Sequence, residues 1–174
     1  MTEQTPFETL QAAIFAYGEA AMENLLRCRA FGYAVAEGFA VYLRGPEGTV
    51  GLVPASGPFN PNQDYGDAAF SYDPNRPIRL EPIAFGISLT IKNAEDSGSL
   101  WIRTPVRVEV KDERFEVFVA DQPRLRVPLA FEGQLQPLFE TMLREFLDAF
   151  RQELEDFGDE RYQSRLGFVT ETPK

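Results

Sequence analysis

Residues 100–111 read LWIRTPVRVEVK, and they alternate apolar with polar side chains more clearly than any other stretch of the chain. The even positions are mostly branched aliphatic residues, whereas Trp101, Arg103, Arg107 and Glu109 stand at odd positions. Alternation with a period of two predicts a strand with one face on an apolar core and the other in water. The pattern is typical of an antiparallel sheet.

A second apolar run at residues 115–119 predicts the next strand, joined to the first by a tight turn. Two registers would keep the valines on one face, and they differ in the residue opposite Glu109. That residue is Glu116 in one register and Arg114 in the other. Opposite charges across a strand pair stabilise it by roughly 0.2–1 kcal/mol and like charges destabilise it, so we predict Arg114 opposite Glu109.

Four more segments are predicted to be strands. Residues 83–91 place bulky apolar side chains at odd positions and small ones at even positions. Residues 33–43 show much the same arrangement, which a continued helix would not need. A turn rich in glycine and proline at 45–48 leads into a strand at 49–53, and the last strand is predicted at 124–129.

Helices are predicted before and after the sheet. Thr5 and Glu8 can form a capping box, with a proline in the first turn, and apolar residues then recur every three or four positions. This pattern predicts a helix over 5–31. A second, amphipathic helix is predicted over 136–158, and its outer face is strongly acidic. That charge either solvates the helix or offers a docking surface to a basic partner.

These elements indicate the α+β fold class, with a single domain over residues 1–174. One antiparallel sheet of about five to seven strands, formed within 33–129, would carry a long N-terminal helix and a long amphipathic C-terminal helix packed on it. A polar tail is expected over 159–174. With 44% hydrophobic residues, a chain of this length can fill its own core without a metal or a disulfide.

Two absences narrow the chemistry. The chain has no histidine and one cysteine, Cys28, which removes His-based acid–base catalysis, Ser/His and Cys/His nucleophiles, and nearly every structural zinc site. Asn60, Asn62 and Asp64 match the first ligand positions of a calcium-binding loop, but the later positions do not match. A turn rich in Asn and Asp explains the same three residues. We therefore expect no cofactor, no metal and no catalytic residues.

Charge and hydropathy restrict the partners and the location. The net charge of −10 disfavours nucleic acid and anionic membrane surfaces as partners. No apolar run approaches the roughly 20 residues that span a bilayer, and the polar N-terminus lacks the pattern of a signal peptide. We expect a cytoplasmic protein that binds neither nucleic acid nor membrane.

The segment 54–78 is unusual, because about 25 residues without periodicity is long for a connection in a compact domain. Five of the chain's 13 prolines stiffen it, and its aromatic residues give it apolar mass. It is either a lid or recognition loop, or a connection that packs on its own side chains. Phe59, Tyr65 and Tyr72 are its candidate binding residues.

Further candidate binding residues lie on the polar face of the 100–111 strand. Trp101 stands between Arg103 and Arg107, and this set can stack on and clamp a flat anion or a carboxylate-bearing partner. Ordinary cross-strand pairing is the competing interpretation, because the predicted register already sets Arg107 opposite Glu116.

We predict a non-catalytic protein-binding or adaptor module that forms a homodimer and recognises a protein partner through the Trp101 face or the acidic helix. Its size and acidity are similar to those of small α+β chaperones of secreted effectors, a likeness of composition alone. Two alternatives stay open. One is a domain that binds a small apolar or anionic ligand in a pocket between the sheet and the C-terminal helix. The other is a carboxylate-based hydrolase, which needs two buried acids about 5–10 Å apart facing one cleft.

Overall fold

The computed structural model describes residues 3–92, 98–156, 158–161 and 163–170. The first helix, α1, spans Pro6–Leu43, and the second, α2, spans Gln136–Glu155. Six strands are present in the described chain: β1 Val50–Val53, β2 Ile83–Lys92, β3 Gly98–Lys111, β4 Arg114–Val119, β5 Leu125–Pro128 and β6 Gly167–Thr170. The fold class is α+β, as the sequence predicts.

The sheet is antiparallel throughout, in the order β1-β2-β3-β4-β5. β3 has 14 residues and is long enough to take two partners along one of its edges. β4 pairs with its residues 106–111, and β6 pairs with its residues 98–101. The strands predicted between 49 and 129 all lie in this sheet.

Both helices pack on one face of the sheet. Phe31 of α1 stacks on Phe115 of β4 with ring centroids 4.5 Å apart, and Phe39 of α1 stacks on Phe146 of α2 at 6.0 Å. Burying one such side chain contributes roughly 1.5–3 kcal/mol, so this aromatic layer is a major source of stability. The largest fully buried side chains are Phe31, Phe39, Phe85, Phe115, Phe146, Ile87, Ile102, Leu138, Met142, Val35, Val53 and Val106.

The predicted strand over 33–43 is wrong, because α1 continues through these residues and ends at Leu43. The small residues that suggested a strand are contact points of a helix. A Cβ atom added at Gly38, for example, would lie 2.5 Å from the Phe139 ring of α2. Two helices that pack this closely need a small residue where a ring of the neighbour presses in.

The predicted hairpin register is also wrong, because Glu109 lies opposite Glu116 and not opposite Arg114. The turn between β3 and β4 decides the register. Asp112 and Glu113 have φ values of 51° and 58°, and a two-residue type I′ turn requires positive φ at both central positions. The geometry of this turn outweighs one unfavourable charge pair.

Glu116 tolerates the neighbouring carboxylate because it has cationic partners on its other side. Its side chain is almost fully buried at 4% residue exposure, and its oxygens lie 3.5 Å from Arg124 and 3.6 Å from Arg126. Both arginines belong to the β5 edge of the sheet, next to β4. Charges on β3 and β4 alone therefore do not determine the register, because the β5 edge compensates Glu116.

Glycine at position 113 is expected to stabilise the fold. A left-handed backbone conformation costs a residue with a Cβ atom about 1–2 kcal/mol. Glycine avoids this cost but loses more conformational entropy on folding. Glu113→Gly should therefore raise the free energy of unfolding by about 0.5–1 kcal/mol. Urea unfolding measures the change. Glu113→Ala is the control that removes the charge and keeps the strain; a glycine variant no more stable than the alanine variant would contradict the prediction.

The chain after α2 differs from the polar tail that the sequence predicts. Residues 167–170 form β6, which joins the sheet beside β3. α2 ends at Glu155, short of the predicted end at 158, and Phe157 of the predicted apolar stripe lies outside the described residues.

In the described part of the chain, neither helix is long and apolar enough to cross a membrane.

Candidate functional site

Three of the six predicted binding residues meet at one place. Trp101 and Arg103 project from the outer face of β3, and Phe59 of the 54–78 loop lies against them. The Phe59 and Trp101 rings meet edge to face with centroids 4.6 Å apart, and the Arg103 guanidinium carbon lies 4.4 Å from the Phe59 ring centre. A cleft of about 920 Å³ opens beside them, bordered by the loop, β3 and α2. We call it the Trp101 cleft.

Arg103 holds the loop to the sheet. Its Nη1 donates to the carbonyl oxygens of Pro54 at 3.0 Å and Gly57 at 2.9 Å. Burial lowers the pKa of the Arg103 guanidinium from its usual value, although the group stays charged at neutral pH. Much of the binding capacity of this arginine is therefore used by its own chain.

Removal of the Arg103 side chain is expected to release the start of the loop. Arg103→Ala leaves two carbonyl groups and one ring without their partner, so the free energy of unfolding should fall by about 1–3 kcal/mol. Amide hydrogen exchange of residues 55–59 should become faster. Arg107→Ala, on the same face of β3, is the control, because Arg107 has no contact with the loop among the described interactions. Equal effects of the two substitutions would contradict the assigned role.

Trp101 is also packed against its own chain. Gly167 of β6 lies opposite it, and a Cβ atom added at Gly167 would overlap the indole ring. Glycine at this position lets the ring lie directly on the β6 backbone. Trp101 thus connects β3, β6 and Phe59, and it remains half-buried at the edge of the Trp101 cleft.

The other three predicted binding residues do not line the Trp101 cleft. The Arg107 guanidinium carbon lies 4.5 Å from the ring centre of Phe118 on β4. Tyr65 accepts a hydrogen bond at 2.8 Å from a backbone amide of its own loop. Tyr72 lies on the helix side, 5.4 Å from the guanidinium carbon of Arg29. The six candidates therefore do not form one site.

Several contacts attach the 54–78 loop to the body of the protein. Tyr33 of α1 donates to the Asp67 carboxylate at 2.7 Å. Asn60 and Asp64, from the calcium-like pattern, each accept a hydrogen bond from the amide two residues later. Side chains that cap local turns in this way explain the Asn/Asp pattern without a cation. The contacts favour a packed connection over a free lid.

A buried ion pair lines the Trp101 cleft. Glu145 of α2 is only 6% exposed, and it accepts hydrogen bonds from Arg165 at 3.2 Å and Gln122 at 2.9 Å. Arg165 also donates to the Arg103 carbonyl at 3.0 Å and to the Thr104 hydroxyl at 3.3 Å. This pair was not predicted from the sequence, because Glu145 was expected on the solvated face of the C-terminal helix and Arg165 in the polar tail.

A second cleft lies between α2 and the end of β2, and we call it the apolar cleft. Its volume is about 620 Å³, and ligand pockets commonly measure roughly 300–1,000 Å³. It lies where the small-ligand hypothesis places a pocket, between the sheet and the C-terminal helix. The large apolar side chains that line it are Leu43, Leu89, Ile91, Leu143, Phe146, Leu147 and Phe150.

The N-terminal part of α1 extends beyond the body of the protein as an arm, residues 6–20. α1 has 38 residues and is therefore about 57 Å long, and its first buried residue is Ala21. Phe7, Leu10, Ile14 and Phe15 of the arm are 63% to 72% exposed. Large apolar patches on a soluble protein mark interaction sites more often than chance, so the arm is a candidate binding surface.

Four arm residues continue the face that α1 buries against the sheet. We call them the arm stripe: Phe7, Leu10, Ile14 and Tyr17. The sequence predicts a single buried stripe that runs from these residues to Cys28. The buried part begins at Ala21, however, and the nearest contact with the body is the hydrogen bond from the Leu80 amide to the Tyr17 hydroxyl at 2.9 Å. A periodic pattern identifies the apolar face of a helix but not the point where its partner layer ends.

A capping box orders the tip of the arm, as the sequence predicts. The Thr5 hydroxyl accepts from the Glu8 amide at 3.2 Å, and the Glu8 carboxylate accepts from the Thr5 amide at 2.7 Å. The hydrogen bond from the Thr5 backbone amide, together with a hydrogen bond with the Thr5 side chain, lowers the pKa of the Glu8 carboxyl. The cap satisfies amide groups that would otherwise lack partners at the helix start.

The comparisons with known proteins give no likeness from which to argue. No family model, no curated protein and no solved structure matches this chain. The arm, the Trp101 cleft and the apolar cleft are therefore the observations from which a function can be inferred.

Proposed function

We propose that this chain is a non-catalytic, cytoplasmic protein-binding module and that it binds through the arm. The observation that carries the proposal is the exposure of Phe7, Leu10 and Ile14, which share a helix face that the described residues leave uncovered. A helix face of this kind binds an apolar helix of another chain, because each large side chain that becomes buried contributes roughly 1.5–3 kcal/mol.

The charge of the arm supports an apolar interface. Glu8 and Glu19 are the only charged residues within 6–20, although the whole chain has a net charge of −10. The cores of protein interfaces are depleted in charged residues in the same way. The acidic face of α2 offers less, since Glu145 points inward to Arg165 and Asp148 pairs with Arg151 at 3.1 Å.

The Trp101 cleft is less suited to capture a partner than the arm, because its arginines already have partners. Arg103 binds two carbonyl groups of the loop, and Arg165 binds Glu145. The same ion pair bears on the hydrolase hypothesis. A general acid must be able to exchange its proton with a substrate, and Glu145 accepts hydrogen bonds from two side chains of its own chain.

Affinity capture from a lysate of the source cells tests the proposal. The tagged chain should retain a protein partner in stoichiometric amount, and Ile14→Glu should lose it, because the new carboxylate would be buried in the apolar interface. Ala12→Glu is the matched control. It adds the same charge to the same arm, but about half a turn away from Leu10 and Ile14.

The control separates binding through the arm stripe from a general effect of charge. Equal recovery of partner by the wild type and Ile14→Glu would overturn the proposal, as would equal loss in Ile14→Glu and Ala12→Glu. Both positions are exposed helix sites, so circular dichroism and thermal unfolding should be the same for the three proteins.

A second candidate function, binding of a small apolar ligand, is favoured by the apolar cleft. Its size suits a medium-chain hydrocarbon, and its walls are side chains of β2, α2 and the end of α1. Octanoate and octanol are suitable probes. Either one should raise the melting temperature if it binds the folded chain preferentially.

Two tryptophan variants locate the binding. Leu143→Trp should fill part of the apolar cleft and reduce the thermal shift, whereas Leu154→Trp, on an exposed part of α2, should leave it unchanged. No shift with either probe would remove this candidate. A shift that survives in Leu143→Trp would place the ligand elsewhere and overturn the assignment to the apolar cleft.

A further inference from the structure

We infer that the partner of the arm is the arm of a second copy of this chain, packed antiparallel across a twofold axis. The inference rests on the proposed function, because it names the partner for the same surface. It is carried by four features of the arm: the symmetry of its apolar pattern, its length, its exposed area and the placement of its two charges.

The arm stripe is symmetric about the level of residue 12. Phe7 and Tyr17 are equally far from this level on either side, and so are Leu10 and Ile14. In an antiparallel pair that crosses there, Phe7 lies level with the partner's Tyr17, and Leu10 lies level with the partner's Ile14. A twofold interface needs a surface that is complementary to itself, and this spacing provides one.

The length of the arm also fits this arrangement. When the two helices cross at residue 12, the cap at Thr5 lies level with residue 19 of the other copy. The first buried residue of that copy is Ala21, so the overlap covers nearly the whole arm and ends before the buried part of α1. Leu80, which is 55% exposed, adjoins Tyr17 at this end of the overlap and extends the apolar contact for the incoming tip.

The exposed area on this face suits a small specific dimer. The four arm-stripe side chains and Leu80 each have roughly 150–250 Å² of surface, so at the observed exposures they provide on the order of 600 Å² from each copy. The two copies together would bury roughly 1,200 Å², the lower end of the range for specific protein interfaces.

The placement of the two charges also fits an interface on the arm stripe. Glu8 and Glu19 both lie nearly half a turn around the helix from the stripe, so both carboxylates stay in water when the stripes pack together. The helix dipoles are opposed in the antiparallel pair, which favours it over the parallel pair.

Sedimentation equilibrium of the purified full chain tests the dimer. The wild type should show twice the 19.6 kDa mass of the chain, and Ala12→Glu should behave in the same way. Ile14→Glu should raise the dimer dissociation constant at least about 100-fold, since it would bury a carboxylate without a cationic partner. A monomeric wild type, or a dimer insensitive to Ile14→Glu, would overturn the inference.

Disulfide trapping tests the orientation. Leu10→Cys and Ile14→Cys chains, coexpressed with different tags and treated with oxidised glutathione, should form chiefly the mixed disulfide. Cys28 should not compete, because it is buried and burial raises the pKa of its thiol to about 12. Predominant homodisulfides of each chain would indicate parallel arms and overturn the antiparallel geometry.

The two proposals can fail separately. A wild type that is monomeric but retains another protein from lysate, with loss in Ile14→Glu, would overturn the second copy as partner and leave the arm as a binding element. A monomeric wild type that retains nothing through the arm would overturn both.

Discussion

Replacement of Phe39 with alanine is expected to lower the free energy of unfolding by about 3–5 kcal/mol. Phe39 is fully buried, and its ring lies 6.0 to 6.1 Å from the ring centroids of Tyr42, Phe139 and Phe146. It fills the space where α1 and α2 meet on the sheet. The alanine variant would leave a cavity there that three rigid rings cannot close, so most of the cost should persist after relaxation. Urea unfolding followed by circular dichroism measures it.

Val41→Ala is the matched control for this prediction. Val41 is two residues from Phe39 in sequence but 76% exposed, so its truncation should change the free energy of unfolding by less than about 0.5 kcal/mol. A strand over 33–43 would direct both side chains to one face. Equal losses for the two substitutions would therefore contradict a helical α1.

The second large effect is expected at Arg165. Arg165→Met removes the cationic partner of Glu145, which then stays buried with the Gln122 amide as its one side-chain donor among the described residues. It also removes the hydrogen bond to the Thr104 hydroxyl. Breaking a buried pair costs about 3–5 kcal/mol, and Arg165 is partly exposed, so we expect a loss of about 2–3 kcal/mol in urea unfolding.

Two further variants separate the ion pair from other effects. Glu145→Leu combined with Arg165→Met should recover most of the loss, because it replaces both charges with apolar groups. Arg151→Met breaks the exposed pair with Asp148 and should cost less than about 1 kcal/mol. A double variant as unstable as Arg165→Met would show that the uncompensated Glu145 charge is not the cause.

Strands β1 to β5 could be predicted because each carries its own signal, whereas β6 was not predicted. The alternation in residues 100–111 needs no knowledge of the neighbours, since one face meets the core and the other meets water. The continuation of α1 through 33–43 could not be predicted from the same signal. Alternation of bulky with small residues also fits a helix that is closely approached from two sides, as Gly32 is by Phe70 and Gly38 by Phe139.

A longer window would have favoured the helix. The buried residues Leu25, Cys28, Val35 and Phe39 keep the spacing of three, four and seven that begins before the segment 33–43. The hairpin register failed for another reason. The turn at Asp112 and Glu113 decides the register, and the like charges that it brings together are compensated by Arg124 and Arg126, whose position beside Glu116 follows from β5.

The candidate site was predicted in part. The sequence indicated Trp101 and Arg103 on one strand face, and the fold adds Phe59 of the loop to them. The sequence did not indicate that Arg103 binds the carbonyl groups of Pro54 and Gly57. That contact depends on the path of the loop, which the alternation of the strand does not reveal. The arm could not be predicted from the helical pattern, because burial of α1 begins only at Ala21 and the strands that set this limit lie far away in sequence.

The capping box at the tip makes the order of the arm sensitive to acid. The Thr5 hydrogen bonds lower the pKa of Glu8, so their contribution is present above the ordinary carboxyl pKa and is lost as the pH falls through the lowered value. Protonation should then weaken the first turn, although the Thr5 hydroxyl can still cap the Glu8 amide. The tip of the arm should therefore keep its cap under mild acidification and fray only below the ordinary carboxyl pKa, and amide hydrogen exchange of residues 6–10 would report it.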